Sequence, residues 1–300
     1  MTRYSRKRSF LIGLIGQDIQ GSRTPELHMQ EGEAQGFRYL YRLVDLAQLD
    51  IGVEALPMLL AAAEKMGFNG LNITHPCKQA VIEHLDELSN DARALGAVNT
   101  VVLKDGKRVG HNTDWSGFAE PFRRKMSGVR LERVVQLGAG GAGSAVAHAA
   151  LTLGVKELSI FDVDRGRAER LAASLSAYFG AGRARVATSL AEMVAAADGL
   201  INTTPIGMDA HPGMPLPVGY LRPDLWVAEI IYFPLETELL KRARALGSRT
   251  IDGGGMAVFQ AVAAFRLFTG VEPDSDRMLA HFASMRPIGP SSDQVLPLQE

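Results

Sequence analysis

Two rhythms of apolar and polar positions take turns along this 300-residue chain. Apolar runs of strand length lie at 10–15, 38–43, 70–74, 134–137, 158–161, 185–187, 199–202, 226–231 and 250–251. Between them, helical spacing is legible over 25–34, 53–66, 76–85, 144–153, 191–197 and 236–246, and a longer helix at 256–268 is apolar on most of its surface. A strand pair at 98–104 and 108–112 is joined by Lys104-Asp105-Gly106-Lys107, which carries the Asp-Gly signature of a tight hairpin. Strands alternating with helices predict an α/β fold with largely parallel sheets, and the length suggests two domains. The tail 286–300 is polar and proline-rich and reads as disordered.

The segment from Val134 to Gly143 runs as a buried strand into G-x-G-x-x-G and on into an alanine-rich helix. Gly138 permits the tight turn, Gly140 lets backbone approach a pyrophosphate, and Gly143 lets helix and strand pack closely. Ala139, Gly141 and Ala142 complete the turn. The helix start behind them offers free N–H groups and partial positive charge to an anion. A second apolar strand ends at Asp162, about 20 residues past the last glycine, where an acidic group meets the adenine ribose. A glycine turn can be merely structural, but this strand–turn–helix–strand context favours a dinucleotide. Residues 114–251 therefore read as a Rossmann-type dinucleotide-binding domain. Residues 1–113 and 252–285 read as an α/β substrate-binding and catalytic domain, with a cleft between the two.

Composition excludes several classes. Hydrophobic residues at 46% and charged residues at 22% are ordinary for a globular protein. A formal net charge of −1 gives no electrostatic reason to expect nucleic acid or an anionic membrane. No apolar run approaches the roughly 18 to 20 residues of a membrane span. Arg3, Arg6, Lys7 and Arg8 before the first apolar run look like the start of a signal peptide, but Gly13 interrupts the run and Gln17-Asp18 follow it without a cleavage site. The single cysteine, Cys77, rules out an intrachain disulfide framework and fits a reducing cytoplasm. His75 and His111 are not spaced as metal ligands, so both read as structural and no metal is expected.

Three polar clusters carry candidate chemistry. In Gly70-Leu71-Asn72-Ile73-Thr74-His75-Pro76-Cys77-Lys78, the two-residue period of a strand puts Asn72 and Thr74 on one face, and Lys78 projects from the start of the next helix. A solvated lysine is the plain alternative. The second cluster is Ala97-Val98-Asn99-Thr100 and the third His111-Asn112-Thr113-Asp114, where Asp114 has an ordinary role open to it as a helix N-cap. Ser22 and Thr24 precede a helix at i and i+2, which suits either caps or a neutral clamp for a carboxylate.

Together these segments resemble the shikimate dehydrogenase family over nearly the whole chain. The family's Ser-x-Ser-Pro-x-x-His is similar to 22–28, with Thr24 in place of the second serine. Its Asn-x-Thr-x-Pro-x-Lys matches Asn72, Thr74, Pro76 and Lys78, and Ala-Val-Asn-Thr matches 97–100. Asn-Thr-Asp matches 112–114, and Gly-Ala-Gly-Gly-Ala matches 138–142. Asn-(Ala/Thr)-Thr-Pro-x-Gly-Met matches 202–208, Tyr-x-Pro-x-x-Thr matches 232–237, and Met256 and Gln260 match the closing Met-x-x-x-Gln. The resemblance implies that Ser22 and Thr24 hold a substrate carboxylate. It further implies that Asn72, Thr74, Asn99, Gln260 and Tyr232 serve the ring hydroxyls, and that Lys78 and Asp114 form the catalytic pair. Oxidising a secondary alcohol requires loss of its proton as hydride leaves for a nicotinamide, and a lysine beside a carboxylate can hydrogen-bond that hydroxyl. Whether Lys78 takes the proton or only stabilises developing charge stays open.

NADP-using members of the family carry Asn-Arg-Thr after the second strand of the nucleotide domain, whereas this chain reads Asp162-Val163-Asp164-Arg165-Gly166-Arg167. Asp162 accepts hydrogen bonds from ribose hydroxyls and repels a 2′-phosphate, so NAD is expected and NADP is the alternative. Arg165 and Arg167 weigh against this, since either can swing toward a phosphate or stack on adenine. Arg167, Thr204, Met208, Ile230 and Gly253 join the glycine turn and Asp162 as the expected cofactor contacts. Thr24 and Asp162 resemble the NAD-dependent quinate/shikimate dehydrogenase branch, which implies oxidation of quinate to 3-dehydroquinate and of shikimate to 3-dehydroshikimate. The partner is thus a small cyclitol carboxylate, and a homodimer is left open. Cys77, Glu229 (where aspartate is frequent) and the third glycine of 253–255 depart from the family pattern, which keeps an amino-substituted shikimate as a further alternative. A catalytically silent quinate sensor is the competing class; retention of Lys78, Asp114 and the glycine turn speaks against it.

Overall fold

Strands covered on both faces must be apolar nearly throughout, and helices feeding a parallel sheet supply that cover. The computed structural model describes residues 7–285 and shows this arrangement twice. The first set comprises β1 (Ser9–Gly16), α1 (Thr24–Ala34), β2 (Arg38–Asp45), α2 (Leu46–Leu49), α3 (Leu56–Lys65), β3 (Gly70–Ile73), α4 (Cys77–Ala80), β4 (Glu87–Leu88), α5 (Asn90–Leu95), β5 (Thr100–Lys104) and β6 (Lys107–His111). They build a six-stranded sheet in the order β2-β1-β3-β5-β6-β4. β2, β1 and β3 run parallel, while β5 is antiparallel to both β3 and β6. Asp105 and Gly106 both have positive φ, +53° and +73°, as the Asp-Gly hairpin requires.

The second set comprises α6 (Asp114–Lys125), β7 (Arg133–Leu137), α7 (Gly141–Thr152), β8 (Glu157–Phe161), α8 (Arg165–Phe179), β9 (Ala184–Val186), α9 (Leu190–Ala196), β10 (Gly199–Asn202), β11 (Trp226–Glu229), α10 (Glu238–Ala245) and β12 (Thr250–Ile251). Its sheet, β12-β11-β10-β7-β8-β9, is parallel throughout. That is the doubly wound order, with the first strand central and the order reversing between β7 and β10. Ligands of such sheets bind outside the strands' carboxyl ends at that reversal.

α11 (Gly254–Thr269) and α12 (Ser275–Ser284) close the chain. α11 returns to the first sheet, where Ala264, Phe265 and Phe268 pack with Phe10, Ile12, Tyr39 and Tyr41. Phe265 lies stacked on Tyr39 with ring centroids 5.2 Å apart. The same helix crosses α6 closely, since a Cβ at Gly255 would meet the Pro121 side chain at 2.7 Å. This contact accounts for the third glycine of 253–255. Two expectations need correction. The helix expected over 76–85 is one α turn, α4, followed by a 3-10 turn at Val81–His84. The stretch 53–66 begins as a 3-10 turn before α3. The expected tail, 286–300, lies outside the described residues.

Candidate active site

β3 is buried at all four positions and ends beside the carboxyl end of β1, where the Thr74 amide bonds to the Ile15 carbonyl. The single turn of α4 then sends Lys78 back toward the end of β6, and its Nζ lies 2.7 Å from Asp114 Oδ2. Asp114 is the first residue of α6; Thr113, rather than Asp114, occupies the cap position. The local capping role thus gives way to a partner 36 residues away in sequence. The second Asp114 oxygen accepts from Asn99 Nδ2 at 2.8 Å. Asn99 cannot flip its amide without loss, because its Oδ1 already accepts from the Thr113 amide (2.7 Å) and the Thr100 hydroxyl (3.0 Å). Asn72 braces the same network. Its Oδ1 accepts from Tyr41 OH at 2.7 Å, and its Nδ2 donates to Thr100 Oγ1 at 3.1 Å. With both ends so engaged and only 4% exposed, Asn72 serves the site through its neighbours.

The loop between β1 and α1 is held from beneath by Asp45. This buried carboxylate accepts from the amides of Asp18 (2.9 Å), Ile19 (3.0 Å) and Ala47 (3.2 Å) and from Gln20 Nε2 (2.9 Å). Burial pushes its pKa up, and the four donors outweigh that to hold it below the ordinary value. Ser22 follows on this loop and Thr24 opens α1, with the Thr24 amide 3.4 Å from Ser22 Oγ. The Arg23 guanidinium lies over the rings of Phe233 (5.5 Å) and Phe282 (5.7 Å), bridging the loop to the segment after β11 and to α12.

A single cleft of about 430 Å³ collects these elements. Ser22, Thr24, Asn72, Thr74, Lys78, Asn99, Asp114, Tyr232 and Gln260 all line it. Ala142 in the first turn of α7 and Ile230 just past β11 line it as well, so the glycine turn opens onto the same space as the Lys78–Asp114 pair. Met256, matched with Gln260 in the closing motif, lines the cleft too, as do Gln17, Asp18, Arg23 and Phe282, which were not foreseen. Arg23 lay between two named residues, and Phe282 follows Met278 at helical spacing behind an Asp274 cap, so both carried a signal.

The remaining expected contacts gather at the carboxyl ends of β7, β8, β10 and β11. Gly138 has φ +96°, and a Cβ there would meet Thr203 Oγ1 at 2.7 Å, so the turn admits only glycine. A Cβ at Gly143 would meet the Gly138 carbonyl at 2.7 Å, which sets how closely α7 approaches the strand. At Gly140 and Gly141, by contrast, a Cβ would meet nothing within 4 Å among the described residues. Open space above the first turn of a twelve-residue helix, whose leading amides have no intrahelical acceptor, fits a pyrophosphate. Asp162 braces this turn, its Oδ2 accepting from the Ala139 amide at 2.7 Å and its Oδ1 from the Asp164 amide at 2.8 Å. Arg167 lies 3.3 Å from Asp164, and Arg165 lies 2.8 Å from Glu169. Thr204 donates to Asn202 Oδ1 at 2.7 Å, and Met208 is 40% exposed on the same loop. Gly253 donates its amide to the Ile231 carbonyl, and a Cβ there would meet the Ile230 carbonyl at 2.1 Å. Among the described residues no cluster of three or more His, Cys, Asp or Glu could hold a metal ion, and no helix is long and apolar enough to cross a membrane.

Comparison with known proteins agrees with this geometry. Residues 14–101 match the shikimate dehydrogenase substrate binding domain, and 253–281 match the shikimate 5'-dehydrogenase C-terminal domain. Residues 123–214 match the C-terminal domain of alanine dehydrogenase/PNT. The chain is 60% identical to a shikimate dehydrogenase (NADP(+)) of Streptomyces avermitilis over 92% of its own length and 96% of the relative's. It is 51% identical to a quinate/shikimate dehydrogenase (NAD(+)) of Corynebacterium efficiens, over 92% and 99%. The solved quinate dehydrogenase of Corynebacterium glutamicum in complex with NAD superposes with a TM-score of 0.89 at 49% identity, covering 93% of this chain and all of that one. Relatives of both cofactor types therefore stand close to this sequence. The chain belongs to the shikimate dehydrogenase family of pyridine-nucleotide oxidoreductases.

Proposed function

We propose that this protein oxidises quinate to 3-dehydroquinate and shikimate to 3-dehydroshikimate, reversibly, with NAD as the hydride acceptor. The observation that carries the reading is the Lys78–Asp114 pair, 2.7 Å apart, in a cleft shared with the glycine-turn residue Ala142. Ser22 and Thr24 receive the substrate carboxylate at one end of that cleft. Asn99, Thr74, Gln260 and Tyr232 receive ring hydroxyls. Lys78 and Asp114 together bind the reacting hydroxyl and accept its proton as the carbon–hydrogen bond breaks, and Asn99 keeps the Asp114 carboxylate oriented toward it. Ala142 and Ile230, which line the cleft, receive the nicotinamide together with Thr204, Met208 and Gly253 on the adjoining loops, and the glycine turn takes the pyrophosphate. The bound dinucleotide supplies only the hydride-accepting carbon.

NAD is favoured by the chemistry after β8. Asp162 and Asp164 place two carboxylates where the adenine ribose would lie, and Val163 between them is 96% exposed and offers a phosphate nothing. The two nearby arginines are engaged by Glu169 and Asp164. An NADP-dependent shikimate dehydrogenase is the second reading, supported by the resemblance to the Streptomyces avermitilis enzyme. Initial rates with both dinucleotides against quinate, shikimate and aminoshikimate, followed by the absorbance of reduced nicotinamide, decide between them. Faster turnover with NADP would overturn the cofactor assignment, and turnover of neither quinate nor shikimate would overturn the substrate assignment.

A further inference from the structure

Glu229 ends β11 and sits directly opposite Asn202, the last residue of β10, in the parallel register. It is 1% exposed, yet its carboxylate is surrounded by donors. Asn202 Nδ2 reaches Oε1 at 3.1 Å and Oε2 at 3.0 Å. The amides of Ile230 (3.0 Å) and Ile231 (3.2 Å) donate to Oε1, and the Thr237 hydroxyl donates to Oε2 at 3.2 Å. Asn202 is engaged in turn by the neighbouring loop, accepting from the Thr204 amide (3.1 Å) and hydroxyl (2.7 Å) and donating to the Ile206 carbonyl (3.2 Å). One buried carboxylate–amide pair therefore ties down both segments that leave the sheet here, 203–206 and 230–237.

We propose that Glu229, acting through Asn202, is the positioning residue that sets the nicotinamide side of the cleft. The inference rests on the reading above, in which Thr204, Met208, Ile230 and Tyr232 face dinucleotide and substrate. The Ile230 amide still reaches a backbone acceptor, the Asn202 carbonyl at 3.3 Å, but beyond it the ladder ends and the Ile231 amide needs another acceptor. One oxygen of the Glu229 carboxyl accepts from both Ile230 and Ile231, and the other from Thr237, with Asn202 Nδ2 reaching both. Burial pushes the carboxyl up to about 7 even against these donors, as expected where water is excluded. A dry, fully engaged carboxylate is the kind of support that holds a reacting geometry, where a shift of about 1 Å costs up to about 10²-fold in rate.

The test uses Glu229→Gln, with Glu229→Asp as the conservative rescue, each assayed with whichever dinucleotide and cyclitol the wild type turns over best. Choosing the pair in this way keeps a wrong cofactor assignment from altering the result. Glu229→Gln is expected to lower kcat about tenfold or more and to weaken dinucleotide binding about fivefold in titration calorimetry, while KM for the cyclitol stays within about threefold. Glu229→Asp should recover most of kcat. A folded Glu229→Gln protein with kcat and dinucleotide affinity within about twofold of wild type overturns the proposal. So does an equal loss in both KM values, which would mark a general structural defect. Should the variants not fold, amide exchange in the wild type decides. The Ile231 amide, whose acceptor is Glu229 Oε1, must be protected despite lying beyond the strand, and exchange as fast as an open loop overturns the role. Calorimetry and exchange need no turnover, so a wrong substrate assignment is seen separately, in the wild-type rates.

Discussion

Replacing Asp162 by asparagine changes charge at the ribose end of the cofactor site while keeping the side chain's size. In the structure both carboxylate oxygens accept backbone amides, from Ala139 at 2.7 Å and Asp164 at 2.8 Å. Asn keeps one of these acceptors and turns an NH₂ group on the other amide, so the glycine turn loosens at one point. Electrostatics moves the other way. Two unit negative charges about 5 Å apart in surroundings of effective dielectric about 20 repel by about 3 kcal/mol, a factor of about 10² in binding. The site is open to solvent, and salt screens part of that repulsion. Wild type should therefore favour NAD over NADP by about 10²-fold in kcat/KM, and Asp162→Asn should narrow the ratio about tenfold, by losing NAD activity and gaining NADP activity. Adding Glu169→Gln releases Arg165 from its 2.8 Å partner and should narrow the ratio further. The assay is kcat/KM for each dinucleotide at saturating cyclitol and fixed ionic strength. Equal wild-type use of the two dinucleotides, or a ratio that Asp162→Asn leaves unmoved, would refute the reasoning.

Lys78→Ala should cut kcat about 10²-fold or more while leaving dinucleotide affinity close to wild type, because the Lys78 ammonium is paired with Asp114 on the proposed substrate side of the cleft; near-normal turnover would sink its assignment. Gly255→Ala should lower stability by about 1 to 3 kcal/mol, read by thermal or urea unfolding, since its methyl would press on Pro121 at 2.7 Å where α6 crosses α11; an unchanged melting temperature would show that the crossing can yield. His28 is fully buried among aromatic rings, and burial lowers its pKa from 6.5 to about 3. Below its unfolded pKa only the unfolded chain protonates it, so its contribution is complete above about 6.5 and is lost as pH falls toward about 3. That amounts to about 2 kcal/mol between about pH 7 and about pH 5. Urea unfolding of wild type against His28→Phe checks this, and equal pH slopes in the two proteins would contradict it.

Most of the second sheet was legible because parallel strands covered on both faces are written as near-continuous apolar runs, as at Trp226-Val227-Ala228 in β11. What was missed divides by cause. In α8, Ala168, Leu171, Ala172 and Leu175 form a buried stripe at helical spacing, so the signal was present, though it follows the polar Arg165-Gly166-Arg167 start. In α5, six residues between Ser89 and Gly96 are too few for periodicity to show, and the helix exists through its caps and packing. Asp114 shows a third kind of limit. Its local sequence supports an N-cap; the resemblance already pairs it with Lys78, and the meeting of β3, β5 and β6 shows Asn99 claiming its other oxygen. The motif resemblance named the residues lining the cleft, but it could not say which of them are engaged by one another, as Asn72 is by Tyr41 and Thr100.

Overall identity is a poor guide to cofactor choice here, for a physical reason. The chain is 60% identical to a relative named for NADP over 279 residues and 51% identical to one named for NAD over 280, so each figure averages over nearly the whole chain. Discrimination between the dinucleotides concerns one phosphate, which meets only the few side chains following β8. At that point this chain places Asp162 and Asp164 around an exposed valine and pairs its arginines with acids. On the proposed NAD reading, charge repulsion there would be worth up to about 3 kcal/mol before screening, whereas substitutions scattered over the surface are each worth within about 0.5 kcal/mol of stability. A chain grafted with Asn-Arg-Thr at 162–164 would stay nearly as similar to every relative, and by this reasoning would exchange NAD for NADP.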